Sequence, residues 1–137
     1  MMPPAVHDTR AVRSFLAFDF GTRRVGVATG NSLLKSAQPL RTLAAEGDAR
    51  FRAIAALIEE WRPDALVVGV PFHPDGAEHD NTRRARKFAR QLHGRFRLAV
   101  HEVDERYSTT EALAGGAKDA DAAAAALILE QFFREHP

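Results

Sequence analysis

The chain has no cysteine, which excludes disulfides and thiolate metal sites and suits a cytoplasmic protein. No apolar run approaches the length of a membrane span, and the opening MMPPAVHDTRAVR lacks the apolar stretch of a signal peptide, so no membrane partner is expected. The glycine-rich nucleotide loops G-x-G-x-x-G and G-x-x-x-x-G-K-[ST] are absent. Histidines are scattered without H-x-x-x-H spacing, so His73, His79, His93 and His101 read as surface or loop residues rather than zinc ligands. Ser108, Thr109 and Thr110 have no recognisable base partner, and helix capping before Glu111 fits them better than nucleophilic chemistry. Acid is missing from one stretch altogether. Arg83 to Arg97 holds seven basic residues and no carboxylate, whereas from Leu98 onward eight acids face three bases. A basic segment beside an acidic centre suits a polyanionic substrate whose reaction needs metal ions. Against that stands the plain reading of a solvated helix face in an arginine-rich chain.

What is present, in 137 residues, is enough for one domain and too little for two. Residues 1–13, with two prolines and no periodicity, read as a flexible tail, leaving 14–137 as a single domain. Ser14–Phe20 and Arg24–Thr29 are apolar runs around Gly21-Thr22-Arg23, the pattern of a β-hairpin. Ala37–Leu43 reads as a third strand, placed at an edge by Pro39. A helix is expected over Asp48–Arg62, stopped by Pro63. Asp64–Val70 has the continuous apolar character of a strand buried on both faces. Asp80 or Asn81 is expected to cap a helix to about Leu92, with Ala85, Phe88, Ala89 and Leu92 inward and Arg83, Arg86, Lys87 and Arg90 on another face. Arg97–Val103 follows as a strand, a short helix is expected from Ser108, Gly115-Gly116 breaks the chain, and a last helix runs from about Asp119 to Glu135. Three strands followed by alternating helices and strands imply an α/β fold with a mixed five-stranded sheet flanked by helices, in the order βββαβαβα.

Three acids stand where acids are rare. Asp19 interrupts FLAFDFGTRRVGVATG, Glu105 ends LAVHEVDE, and Asp121 opens DAAAAALILEQFF. Carboxylates at such places need a positive partner, and hard oxygen ligands converging from two strands and a helix favour Mg²⁺ or Mn²⁺. Asp19 lies in strand interior, and the Gly21 after it allows a phosphate or metal close to the backbone. Asp104 and Glu105 point to opposite faces of their strand, so one of them faces the site, and the residues alone leave that choice open. On the last helix Asp121 shares a face with Ala125, Ile128 and Phe132, while Asp119 suits the N-cap. In the first helical turn Asp121 also gains from the positive end of the helix dipole.

Four blocks in order, DFGTRRVGVA (Asp19–Ala28), VVGVPFHPDG (Val67–Gly76), DERYSTTEA (Asp104–Ala112) and DAAAAALILE (Asp121–Glu130), resemble the YqgF/RuvX family of the ribonuclease H-like superfamily. The resemblance runs from about Phe15 to Phe133. It implies a ribonuclease H-like nuclease domain and selects Glu105, with Asp19 and Asp121, as the catalytic and metal-binding acids. On this reading two Mg²⁺ or Mn²⁺ ions share Asp19, and a phosphodiester in structured nucleic acid is hydrolysed to 5′-phosphate and 3′-hydroxyl ends. The resemblance points both to processing the 5′ end of precursor 16S ribosomal RNA and to resolving four-way Holliday junctions. Paired nicks in a junction imply a homodimer. Arg23, Arg83, Arg86, Lys87 and Arg90 are the candidate phosphate contacts.

The chain departs from the family in having only fifteen residues between Glu105 and Asp121, and in Tyr107 where leucine is usual. Two other readings use the same residues. A non-catalytic RNA-binding module would keep the basic helix, but retention of all three acids argues against it. The run Asp19-Phe20-Gly21-Thr22 also occurs in actin-like and sugar-kinase ATPases, which close two such domains around a nucleotide.

Overall fold

A computed structural model describes residues 12–105 and 119–137. Most of the expected tail, the helix expected from Ser108, the break at Gly115-Gly116 and the departure at Tyr107 therefore lie outside the described residues. The elements are β1 (Ser14–Phe20), β2 (Val25–Asn31), β3 (Ala37–Leu43), α1 (Gly47–Trp61), β4 (Ala65–Pro71), α2 (Asp80–Phe96), β5 (Ala99–Glu105) and α3 (Ala120–Glu135). They form one five-stranded sheet in the order β3-β2-β1-β4-β5. β1, β2 and β3 run as an antiparallel meander, while β1, β4 and β5 are parallel. This is the expected mixed sheet flanked by helices.

Each strand sits where its residues allow. Pro39 lies on the edge strand β3, where a missing N–H is tolerated, and the β2–β3 register slips between Val27 and Ala28, opposite it. In β4, Ala65 to Val70 are all buried, as its unbroken apolar run requires of a strand covered on both sides. One face packs Leu16, Phe18, Val25, Val27, Leu66, Val68 and Val70 against α1 and α2. Phe88 of α2 is the hub there, with ring centroids 5.1 Å from Phe20, 5.9 Å from Phe18 and 6.0 Å from Phe51. The other face packs Phe15, Ala17, Ala65, Val67 and Val103 against Ile128, Leu129, Phe132 and Phe133 of α3. Among the described residues no helix is long and apolar enough to cross a membrane.

Several expected boundaries shift, with β2 running on to Asn31 and β5 to Glu105. The cap of α2 is His79 rather than Asp80 or Asn81: its Nδ1 accepts from Asn81 N–H at 3.2 Å, and Thr82 Oγ1 accepts from His79 N–H at 3.1 Å. Histidine mimics the usual capping acceptor here, which residue preference alone does not foresee. The same helix runs on to Phe96, past Leu92 and through Gly94, and ends where Arg97 adopts a left-handed φ of 59°. β5 accordingly starts at Ala99. The inward set Ala85, Phe88, Ala89 and Leu92 is buried as expected.

Thr82 is fully buried, and its hydroxyl donates to Pro71 O while accepting from His79 N–H, tying the start of α2 to the end of β4. Thr82→Val keeps the shape and loses both bonds. It should lower unfolding free energy by about 1–3 kcal/mol in urea denaturation.

Candidate active site

Alternation along each strand decides which acids share a side of the sheet. Phe15 and Ala17 pack against α3, so Asp19, two residues on, faces α3 as well. On β5, Val103 packs into the same cluster and His101 lies 5.0 Å from the Phe132 ring, which puts Glu105 on the α3 side. Asp104 points away from it, on the side where Glu102 pairs with Arg86 of α2 at 3.4 Å. Asp121 enters from α3 itself. β1 and β5 run parallel through β4, and α3 starts against β2 opposite Asp19, so the three carboxylates occupy one end of one face.

Two glycines make this end possible. Gly26 is the register partner of Asp19, and a Cβ there would overlap the carbonyl of Asp121 and come within 2.9 Å of Ala122 N. The first turn of α3 therefore rests on bare backbone. Gly69 follows Val68, the partner of Phe18, and so lies alongside Asp19; a Cβ there would overlap the Glu105 carboxylate and meet Ile128 Cδ1 at 2.5 Å. Glu105 thus reaches from β5 over β4 towards β1. Glycine inside a strand marks such close approaches.

The start of α3 is held from three sides. Asp119 caps it, accepting from Ala122 N–H at 3.2 Å, and also accepts from the Thr42 hydroxyl of β3. Asp121 forms an ion pair with Arg24, Nε to Oδ2 3.0 Å, the arginine side chain 64% exposed and the aspartate 33%. The turn carrying Arg23 and Arg24 is anchored by Arg50, which is buried, donates to Ala45 O at 2.8 Å and Thr22 O at 3.1 Å, and lies over the Phe20 ring. Desolvation lowers the Arg50 pKa from its ordinary value, with the Glu46 charge opposing.

The donor set of three hard carboxylates, with Glu105 cradled over Gly69, fits a divalent cation in kind and in facing. Yet among the described residues no three histidine, aspartate or glutamate side chains are drawn closely enough together to hold one as they stand. Asp121 is turned to Arg24 instead.

The basic candidates fall in two places. Arg23 is exposed in the turn beside the carboxylates. Arg83, Arg86, Lys87 and Arg90 ride on α2, on the opposite face of the sheet. Arg83 pairs with Asp80 at 2.5 Å, and Arg86 bonds Glu78 at 2.8 Å and lies over Phe72. Lys87 and Arg90 are exposed, with no ion pair among the described residues. Sequence reasoning missed Arg24, Arg50 and Thr42. It also gave no role to Gly26 and Gly69, although glycine in otherwise apolar strands was the visible signal.

A family model described as RuvX, Holliday junction resolvase, matches residues 13–135. A Polaromonas sp. protein named "Putative pre-16S rRNA nuclease" is 68% identical over 131 residues, 96% of this chain and 95% of its own length. One of the same name from Albidiferax ferrireducens is 67% identical over 129 residues, covering 94% of this chain and 83% of that one. Among solved structures, T. thermophilus RuvC in complex with a Holliday junction substrate aligns with a TM-score of 0.59 at 12% identity, over 89% of this chain and 94% of that chain. At that identity the likeness speaks to the ribonuclease H-like fold alone.

The glycine contacts can be checked by adding one carbon. Gly26→Ala should destabilise the fold by about 1–3 kcal/mol through overpacking against α3. Gly94→Ala, in open space on α2, should instead stabilise it by about 0.5–1 kcal/mol. Thermal melts of the two variants report both signs.

Proposed function

The chain belongs to the RuvX family, and from that premise we propose that it is a cytoplasmic nuclease hydrolysing phosphodiester bonds in precursor 16S ribosomal RNA with Asp19, Glu105 and Asp121 as its catalytic carboxylates. The observation that carries this is the gathering of those three acids on one face, at the shared end of β1, β5 and the start of α3. Nothing in ordinary core packing calls for three acids at one sheet end, and each costs charge repulsion from the others. Two divalent cations, Mg²⁺ or Mn²⁺, would be held by Asp19, Glu105 and Asp121 and would supply Lewis acidity and an acidified water at neutral pH.

The chain's own residues supply the frame. Gly26 and Gly69 let α3 and the Glu105 side chain close on β1 without side chains between. Thr42 and Asp119 hold the first turn of α3, and the positive end of that helix lies beside the Asp121 carboxylate. Arg50 keeps the 21–24 turn in place, presenting Arg23 towards an approaching phosphate. In the hydrolysis a water oxygen bonds to phosphorus as the bond to the 3′ oxygen breaks, leaving a 5′-phosphate and a 3′-hydroxyl. A second reading, cleavage of four-way DNA junctions, is favoured by the family's description. It asks in addition for a homodimer that places two sites on one junction.

Purified protein should cleave a precursor RNA spanning the 5′ end of 16S in Mg²⁺ or Mn²⁺ and not in EDTA. Asp19→Asn, Glu105→Gln and Asp121→Asn should each lower the rate at least a hundredfold while binding RNA as well as wild type. Asp104→Asn should keep substantial activity. Equal cutting in EDTA would refute the metal reading; RNA binding without cutting under any condition would leave a non-catalytic module. Faster cutting of a four-way junction than of the RNA would establish the second reading.

Lys87 and Arg90 form a second, remote track for phosphates. Replacing both with alanine should weaken binding to duplex DNA and flatten the slope of log affinity against log salt by up to about 2. Cleavage of bound substrate should not change. An unaltered slope would confine nucleic acid to the carboxylate end.

A further inference from the structure

We propose that Arg24 is an exchangeable counter-ion, neutralising Asp121 while the site holds no cation and yielding that carboxylate when a divalent ion enters, so that it sets the affinity of the site for the ion. The proposal rests on the metal-dependent reading above, and four observations support it. The guanidinium reaches Asp121 through Nε at 3.0 Å, and its side chain is 64% exposed. A pair this open to water is weak and screened, so it can part without disturbing the fold.

The backbone under Asp121 is secured by other contacts. Gly26 receives the first turn of α3, Asp119 caps it and Thr42 ties it to β3, none of them through Arg24. Exchange therefore involves side chains alone. Arg24 is itself mounted on a turn held by Arg50, so its α-carbon stays beside the site when its head group swings away. Finally, the carboxylate of Asp121 carries a cation of its own, which an entering ion must displace. A doubly charged ion outbids a single, half-solvated guanidinium for the same oxygen.

The opposite assignment gives the opposite sign. If Arg24 served to hold Asp121 in a coordinating rotamer, removing it would weaken ion binding. If it competes, removing it tightens binding, since both the rival and its repulsion are gone.

Calorimetric titration of Mn²⁺ into the full chain without nucleic acid separates these. Arg24→Gln, which keeps the stem and a hydrogen-bonding head without charge, should bind Mn²⁺ about three- to tenfold more tightly than wild type. Arg24→Lys should fall between the two. The gain should shrink at high salt and in an Asp121→Asn background. The metal-free melting temperature of R24Q should drop slightly while its rise on adding Mn²⁺ grows. Unchanged or weaker Mn²⁺ binding by R24Q, with wild type binding and D121N not, would overturn the proposal and leave the nuclease reading standing. Failure of wild type to bind Mn²⁺ would instead overturn the metal reading, and this proposal with it.

Discussion

Where the first turn of α3 lies on β2, the carbonyl of Asp121 fills the space that a Cβ at position 26 would need, so the whole carboxylate end depends on a strand position with no side chain. The side chains that α3 turns to β2 grow along its length. Gly26 meets Asp121 and Ala122, Ala28 packs with Ala125 and Ala126, and the bulk arrives only at Leu129 and Phe133 beside Gly30. Small residues at the near end let backbones touch; aromatic and aliphatic ones at the far end supply the buried area that holds the helix down. Phe15 closes that far end, 5.2 Å from Phe132 and 5.6 Å from Phe133. Stability is concentrated at one end of α3, and the polar site is assembled at the other.

Charge follows the same division. Carboxylates at the near end repel one another, and Arg24 offsets part of that, while the capping of α3 by Asp119 fixes backbone donors that favour a negative neighbour. On the opposite face, part of the basic run of α2 is already engaged. Asp80 takes Arg83, Glu78 and Glu102 take Arg86, and Asp48 lies 3.7 Å from Arg95, which covers the Phe51 ring at 4.0 Å. Several of the seven basic residues are thus surface pairs worth little individually. The net basic character that remains on this helix is carried by Arg84, whose bond is to the neutral Asn81, and by Lys87 and Arg90.

The fold was legible because its signals are local and redundant. Asp64–Val70 could only be a doubly covered strand, Pro39 could only sit at an edge, and Ala85, Phe88, Ala89 and Leu92 repeat at helical spacing, and the structure bears these out. Facing was legible for Asp121, from its helical stripe. For Glu105 against Asp104 it was not, since alternation says that the two differ and cannot say which side holds α3; the tertiary packing of Val103 decides it. What escaped were contacts between distant segments. Arg50 looks like any surface arginine on an amphipathic helix until its partners Ala45 O and Thr22 O are known. Thr42 and Asp119 lie 77 residues apart, a pairing no local pattern announces. His79 as a cap replaced the commoner Asp80 because geometry, not preference, selects the acceptor.

The placement of α2 bears on what kind of nucleic acid suits this surface. Its first turn starts close to the carboxylate end, since Phe72 N–H bonds Glu105 O and Thr82 is tied to Pro71. From Thr82 to Arg90 the helix then runs about 12 Å along the far face, at roughly 1.5 Å per residue. A strand that reaches the carboxylates and also touches Lys87 and Arg90 must therefore bend round the β5 edge of the sheet or present two separate limbs. A short single strand lying across the strand ends would, among the described basic residues, meet Arg23 and Arg24. On the reading proposed, the remote pair adds affinity only for a substrate with two arms, as in a folded precursor RNA or a branched DNA. Recognition would then come from the shape of the substrate rather than its bases, because phosphates are all that these side chains can reach in common.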